Sequence, residues 1–376
     1  MVEVVVTGIG LLSSLGSLTS SWQKLLEGKS GIKRHHPFPE LPSYPLGLIG
    51  DRPIQLSNLS QIVVKAALQD AGLAPPLPEC GVAIGSSRGC QANWEDYLIQ
   101  TKARSPLDWL NILPDRGAVA TASYLGTNAP VLAPMAACAT GIWAIARGFE
   151  SLQTGCCQRV IVGAIEAPVT RLTLAGFAQM GALAETGCYP FDLGREGLVL
   201  GEGGAVLILE TATLARERKA KIYGRILGFG LTCDAYHLSA PNPNGAMAIK
   251  AIEQCLEHSH LKPTDIDYIH AHGTSTKLND LHEAKIIKHL FSPKVAVSST
   301  KGATGHTLGA SGAIGVAFCL MALQQQHFPP CVGLHESEFD LNLVNKTYRD
   351  KIQNVLCFSF GFGGQNAVLA INNSNS

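Results

Sequence analysis

The chain has 376 residues, with 29 basic and 29 acidic side chains, and it is 46% apolar and only 15% charged. A neutral chain without a basic run lacks the electrostatic footprint of a nucleic-acid binder, and one this apolar and varied is not disordered. No apolar run of about 18 residues is free of polar or turn residues, so no membrane span is expected.

In chain order, Val2 to Val6 reads as a buried strand with Glu3 inside it, closed by the turn Thr7-Gly-Ile-Gly10. No basic segment precedes it, so no secretory leader is expected. Trp22 to Glu27 reads as a short helix and Gly28 to Pro53 as loop. Leu59 to Ala71 reads as an amphipathic helix stopped at Gly72, and Gly81 to Ile84 as a strand. Pro134 to Thr140 reads as a strand running into an Ala139-Thr-Gly141 turn and a helix of small residues to Phe149. The strand Arg159 to Gly163 follows.

The same order then recurs. Ala248 to His258 is a helix and Tyr268 to His272 a strand. Val295 to Thr304 is a strand with an Ala303-Thr-Gly305 turn and a small-residue helix to Leu323, and Leu356 to Gly361 is the closing strand. Leu73-Ala-Pro75 and Leu261-Lys-Pro263 follow the matching helices. The repetition predicts an internal duplication, residues 1–215 and 216–376, divided in the charged stretch Glu210 to Lys221. Strands alternating with helices predict an α/β fold with parallel sheets covered on both faces. The chain leaves in a polar tail, Asn372 to Ser376. Eleven irregularly spaced cysteines predict reduced thiols, most of them small buried residues, in a cytoplasmic protein.

Three residues carry the candidate chemistry. Cys138 lies between a strand and a helix start, where unpaired N–H groups favour thiolate and lower the thiol pKa. His272 ends a strand in Ala271-His-Gly-Thr-Ser-Thr276, and His306 follows the Lys301-Gly-Ala-Thr-Gly305 turn. Two neutral imidazoles opposite a thiol suit chemistry that makes and consumes an enolate. Lys301, five residues before His306, is positioned to fix that ring. The glycine turn in Phe358-Ser-Phe-Gly-Phe-Gly-Gly-Gln365 offers an N–H that, with that of Cys138, can form an oxyanion hole. Asp280 and Glu283 share a helix face, either supporting the Lys301 region or lying on the surface. His270 and His272, with a Cys or Asp280, are an alternative zinc set, but no further clustered ligand is apparent and no metal is assigned.

The motifs Val4-Val-Val-Thr-Gly-Ile-Gly10, Ala137-Cys-Ala-Thr-Gly141, Phe191-Asp-Leu-Gly-Arg-Glu-Gly197, Ala271-His-Gly-Thr-Ser-Thr276, Ser299-Thr-Lys-Gly-Ala-Thr-Gly-His306 and Ser359-Phe-Gly-Phe-Gly-Gly364 resemble, in order and spacing, the β-ketoacyl-acyl-carrier-protein synthases of the Cys-His-His branch. The resemblance implies the thiolase fold, layered α/β/α/β/α, and a homodimer that needs no cofactor. It implies that Cys138 takes an acyl group from an acyl carrier protein thioester. His272 and His306 then promote decarboxylation of the malonyl thioester in a two-stage covalent reaction. Lys301 corresponds to the lysine that supports the second histidine, and Thr274 and Thr276 to threonines on the pantetheine arm. Phe362 corresponds to the phenylalanine that gates the pocket and lends its N–H, with Phe360 beside the substrate.

The chain departs from the family pattern at several places. Tyr189 stands where Arg is usual, Gly315 where Glu is common, and Gln365 where Thr or Ser is usual. Lys65 is the lone basic residue on the helix that docks the carrier in relatives. The alternatives are a non-condensing partner subunit, an acyl transferase or decarboxylase paralogue, and a thiolase acting on coenzyme A thioesters. The last requires a second catalytic Cys, for which Cys357 is the candidate.

Overall fold

The computed structural model describes residues 2–99 and 106–373. The last three residues of the polar tail lie outside them. A twelve-stranded sheet runs through the molecule. Eleven of its strands form a continuous path. They are β1 (Val4–Ser13), β2 (Cys80–Gly85), β3 (Val131–Leu132), β4 (Arg159–Glu166), β5 (Gly203–Thr211), β6 (Gly224–Cys233), β7 (Tyr268–His270), β8 (Ala296–Ser298), β9 (Asn342–Leu343), β10 (Asn354–Gly361) and β11 (Gln365–Asn372). The order along the path is β9-β8-β7-β10-β11-β6-β1-β5-β4-β2-β3.

The path contains one five-strand pattern twice. In β3-β2-β4-β5-β1, β2 is parallel to β3 and β4, and β4–β5 and β5–β1 are antiparallel. In β8-β7-β10-β11-β6 the corresponding pairs have the same directions. Both runs are therefore mixed, not parallel as the alternation predicts. In the second run the reason is plain: Phe362–Gly364 is the whole link between β10 and β11, far too short for a parallel crossover. The runs join edge to edge through Val4–Val6 and Gly224–Ile226 alone.

Helix α1 (Leu56–Asp70) covers β1, and α3 (Ala246–Ser259) covers β6 and β11. Between the two runs lie α2 (Thr140–Gln153) and α5 (Ser311–Gln325), which pack on each other and on strands of both. The result is five layers: helix, sheet, helix pair, sheet, helix. Because α5 meets protein on every side, it is apolar all round. The segment Leu308–Gln325 has a mean hydropathy of 1.4 and is 89% buried, so its membrane-like composition belongs to a core helix.

Glycines set the spacing of these layers. A Cβ on Gly10 would lie 1.9 Å from the Val63 carbonyl oxygen, and one on Gly230 would lie 1.8 Å from that of Ala251. Thr7-Gly-Ile-Gly-Leu11 and Leu227-Gly-Phe-Gly-Leu231 are thus the same strand–helix contact made twice. In the central pair, a Cβ on Gly141 would lie 2.5 Å from the Ala313 nitrogen.

Several predicted elements need correction. The first helix starts earlier, at Leu18, and the loop 28–53 contains the hairpin Lys33–His35 with Tyr44–Leu46. Pro134 to Thr140 is not a strand; only Val131–Leu132 pairs, and Pro130 and Pro134 on either side stop the ladder. β7 stops at His270 and β8 at Ser298. Ala303-Thr-Gly305 closes a short helix, Lys301–Thr304, rather than opening α5. The true counterpart of Thr140-Gly141 is Ser311-Gly312 at the start of α5, so the Ala-Thr-Gly likeness is coincidental. All eleven cysteines are free, and eight are buried.

Candidate active site

Cys138 sits on a tight elbow one residue before the N-cap of α2. Ala137 has φ 47°, a left-handed conformation costly for a residue with a side chain. Thr140 holds the elbow: its hydroxyl accepts from the Ala136 N–H at 2.9 Å and donates to the Ala137 carbonyl at 2.7 Å. The Ser359 hydroxyl donates to the Cys138 carbonyl at 2.8 Å. Gly361 passes so close that a Cβ there would lie 3.0 Å from the Cys138 nitrogen. This brings the Phe362 backbone N–H to the sulfur.

His272 and His306 face this sulfur. The three potential donor atoms lie within 4.8 Å of one another, and the two rings meet edge to face at 5.3 Å. Burial, reinforced by the Lys301 charge, holds both imidazoles well below their usual pKa, so both are neutral at physiological pH. Burial also pushes the Cys138 thiol up to about 11, with Lys301 and Arg88 pulling it back only in part. The depression expected from the helix start is therefore overturned: desolvation of the sulfur outweighs it, and the resting group is a thiol.

The supports differ from those expected. Lys301 reaches His272, not His306. It donates to the His272 carbonyl oxygen, and its ammonium stands 3.5 Å from Nδ1. The short helix turns Lys301 back toward β7, which linear spacing along the chain does not reveal. An ammonium only donates, so Nδ1 of His272 is the acceptor and Nε2 carries the proton. His306 is oriented instead by Ser311, whose hydroxyl lies 2.8 Å from Nδ1. A hydroxyl can donate or accept, which leaves both His306 tautomers open.

Asp280 and Glu283 are fully buried near the start of α4 (Lys277–Leu290). Glu283 accepts the N–H groups of His272 at 2.6 Å and Gly273 at 2.7 Å, and Asp280 accepts that of Phe191 at 2.8 Å. Burial lifts Glu283 to about 7 and Asp280 to about 6. His270 is held apart from His272, with Nε2 3.0 Å from the Thr300 hydroxyl and Nδ1 3.7 Å from the Cys357 sulfur. It does not join His272 in a zinc set.

A cavity of about 400 Å³ opens over the trio. Phe360, Phe362, Thr274 and Thr276 line it with Cys138 and both histidines. The Thr274 and Thr276 hydroxyls bond each other at 2.8 Å, and the Phe360 ring lies 6.0 Å from His272. Cys357 is fully buried and not among the lining residues, so it is not a second thiol in the chamber.

Sequence reasoning passed over Ser311, Ser359 and Glu166. Ser359 carries a readable signal, a polar side chain inside the apolar strand β10. Glu166 ends β4 and accepts from the Ser86 hydroxyl at 2.6 Å and the Gly309 N–H at 3.0 Å, tying the two runs together beside the elbow.

The beta-ketoacyl synthase N-terminal domain model matches residues 55–215, and the C-terminal domain model matches residues 223–335. The chain is 34% identical over 404 residues to 3-oxoacyl-[acyl-carrier-protein] synthase 2 of Staphylococcus aureus, covering 98% of this chain and 97% of that protein. It is 37% identical to the protein of the same name from Synechocystis, again over 98% and 97%. Among solved structures, a type II polyketide ketosynthase bound to its acyl-carrier protein superposes with a TM-score of 0.93 at 26% identity, over 99% of each chain. A beta-ketoacyl synthase from Burkholderia phymatum superposes at 0.91 and 26%, over 99% of this chain and 100% of that one. The fold is the thiolase fold, and the chain belongs to the beta-ketoacyl synthase family. It is an acyltransferase of the condensing type, similar end to end to the 3-oxoacyl-carrier-protein synthases.

Proposed function

We propose that this enzyme joins a Cys138-bound acyl group to malonyl-carrier protein by decarboxylative Claisen condensation, in fatty acid or polyketide-like synthesis. The observation that carries the reading is one thiol and two neutral imidazoles within 4.8 Å in a single cavity. With a thiol pKa of about 11, only about one part in ten thousand is thiolate at pH 7, so the sulfur needs a base as it attacks. His306 is that base, because Ser311 can accept its Nδ1 proton and leave Nε2 free.

In acylation the sulfur adds to the thioester carbonyl while its proton passes to His306. The N–H groups of Cys138 and Phe362 hold the developing oxyanion. Collapse expels the carrier thiolate, which takes the proton from His306. Malonyl-carrier then enters past Thr274, Thr276 and Phe360. Nε2–H of His272, fixed as donor by Lys301, bonds the malonyl thioester oxygen. The bond to the carboxylate breaks, CO2 leaves, and the electron pair becomes an enolate. Its carbon attacks the acyl-Cys carbonyl, the new carbon–carbon bond forms, and the Cys138 thiolate departs and regains a proton from solvent. Glu283 acts behind this machinery, holding the backbone that presents His272, and Asp280 holds that of Phe191.

We take the protein as a cytoplasmic homodimer with halves 1–215 and 216–376. Edge strand β3 supports the pairing: Val131 and Leu132 are 39% and 38% exposed, and Met135 beyond them is 58% exposed. Intact-mass measurement tests the function. Acyl-carrier protein is expected to leave one adduct on Cys138, and added malonyl-carrier to discharge it as ketoacyl product. An adduct that malonyl-carrier never discharges overturns the condensing reading and favours a transferase. An adduct formed from acyl-coenzyme A alone favours a thiolase.

A further inference from the structure

Glu166, at the end of β4, is fully buried and accepts five hydrogen bonds. One carboxylate oxygen takes the Ser86 hydroxyl at 2.6 Å and the Arg88 N–H at 3.1 Å. The other takes the Ser87 N–H at 2.8 Å, the Ser87 hydroxyl at 2.6 Å and the Gly309 N–H at 3.0 Å. Four of these donors belong to the turn after β2. The fifth comes from the other half, in the loop between His306 and Ser311. That loop is pinned at two places. The His306 N–H donates to the Val199 carbonyl at 2.6 Å, and its carbonyl accepts from the Gly201 N–H at 3.0 Å. Gly309 is held by Glu166 on one side and lies against α2 on the other, where a Cβ on Gly141 would come 3.2 Å from the Gly309 carbonyl oxygen. Between the pins, Leu308 has φ 41°, a left-handed conformation that a side-chain-bearing residue keeps only where its surroundings fix it. Two residues beyond Gly309, the Ser311 hydroxyl meets Nδ1 of His306 at 2.8 Å.

We propose that Glu166 is a positioning residue for acylation: by holding the Gly309 N–H it keeps the Ser311 hydroxyl on Nδ1 of His306, and so keeps Nε2 ready for the Cys138 proton. This rests on the reading above, in which His306 is the base that serves the thiol. An ionised carboxylate accepts and never donates, which suits five donors. The Ser311 hydroxyl also lies 3.1 Å from that of Thr307, which can take its proton and leave Ser311 accepting from the imidazole. Releasing Gly309 lets Leu308 relax from its left-handed conformation and carries Ser311 off the ring. The Nδ1 proton then lacks its fixed acceptor, just as the imidazole gains positive charge. His272 is untouched, because its supports are Lys301 and Glu283. Glu166 therefore acts from the nucleophile half upon the base in the other half, through one N–H.

The test measures two rates: single-turnover acylation of Cys138 by acyl-carrier protein, and malonyl-carrier decarboxylation by enzyme already acylated. Glu166→Ala is expected to slow acylation roughly tenfold, the loss of one positioned hydrogen bond, and to spare decarboxylation. Gly309→Ala reaches the same contact with the carboxylate left in place, since its Cβ would lie 2.5 Å from the Glu166 oxygen and 2.8 Å from the Ser87 nitrogen. It is expected to show the same split, and it carries the test alone if Glu166→Ala does not fold. Joined to Ser311→Ala, either variant is expected to slow acylation by no more than about twofold beyond Ser311→Ala itself, because both act through one hydroxyl. A further tenfold loss in the double variant overturns the inference, as does equal loss of both steps in the single ones. Ser86→Ala removes a bond to the other carboxylate oxygen; it is expected to lower the melting temperature and keep the wild-type acylation rate. An acylation loss there equal to that of Gly309→Ala also overturns the inference. A wild type that acylates Cys138 but leaves malonyl-carrier intact overturns the condensing reading instead, and the acylation cycle can still be read.

Discussion

The same structural step is built differently in the two runs of strands. From the end of β3 to the start of α2 the chain has seven residues, 133–139, and they make one taut elbow with a single reactive group. From the end of β8 to the start of α5 it has twelve, 299–310, enough for a short helix and two functional side chains. The short link fixes a sulfur through backbone geometry, a strained Ala137 and one Thr140 clip. The longer link fixes imidazoles through side chains, Lys301 on His272 and Ser311 on His306. One half thus gives position, and the other gives control over protons.

The first way to sharpen this contrast is the thiol itself. Alkylation of Cys138 by iodoacetamide, followed by peptide mapping, is expected to speed up about tenfold per pH unit from pH 7 to 10, about a thousandfold in all. The sign follows from a raised pKa: thiolate keeps accumulating until pH approaches about 11. A plateau near neutrality would mean that the helix start prevails over burial after all. The second probe separates the two supports. Lys301→Ala is expected to slow decarboxylation by about 10²–10³-fold and spare acylation, because it frees only the ring that donates to malonyl. Ser311→Ala is expected to slow acylation by roughly tenfold and spare decarboxylation, because His306 takes the sulfur's proton. Equal loss of both steps in Lys301→Ala would remove the division between the rings. The last probe tests what the halves share. Gly10→Ala and Gly230→Ala place a methyl group against a helix carbonyl at 1.9 and 1.8 Å, and each is expected to cost about 1–3 kcal/mol in a thermal melt. Unequal losses would show that the repeated strand–helix contacts are not energetically equivalent.

The sequence displays much of this plan. His272 and His306 stand out because each adjoins a glycine, Cys138 because it sits three residues before Gly141 at a helix start, and Asp280 and Glu283 because a spacing of three shares a helix face. Which way that face points, inward, is not written in the spacing. The partner of Lys301 was misjudged because proximity in numbering favours His306, while the short helix 301–304 returns the side chain to β7. The thiol pKa was misjudged because a helix terminus is visible in a sequence and desolvation is not. The Ala-Thr-Gly repeat misled because three small residues suit both a helix start and a helix end. The glycine pairs at 8 and 10 and at 228 and 230 were a better sign of duplication, with a packing reason for each member.

Gly141 and Gly312 let α2 and α5 cross almost backbone to backbone, and each helix carries its own part of the reaction: Cys138 precedes one, and His306 with Ser311 leads into the other. The spacing between these two parts of the reaction is therefore a width set by two absent side chains. That width leaves no room for gradual adjustment, since the smallest addition already collides. Changes in which acyl groups are accepted must then arise farther out, at walls such as Phe177 and Met180, where variation can proceed without disturbing the spacing of the reacting atoms.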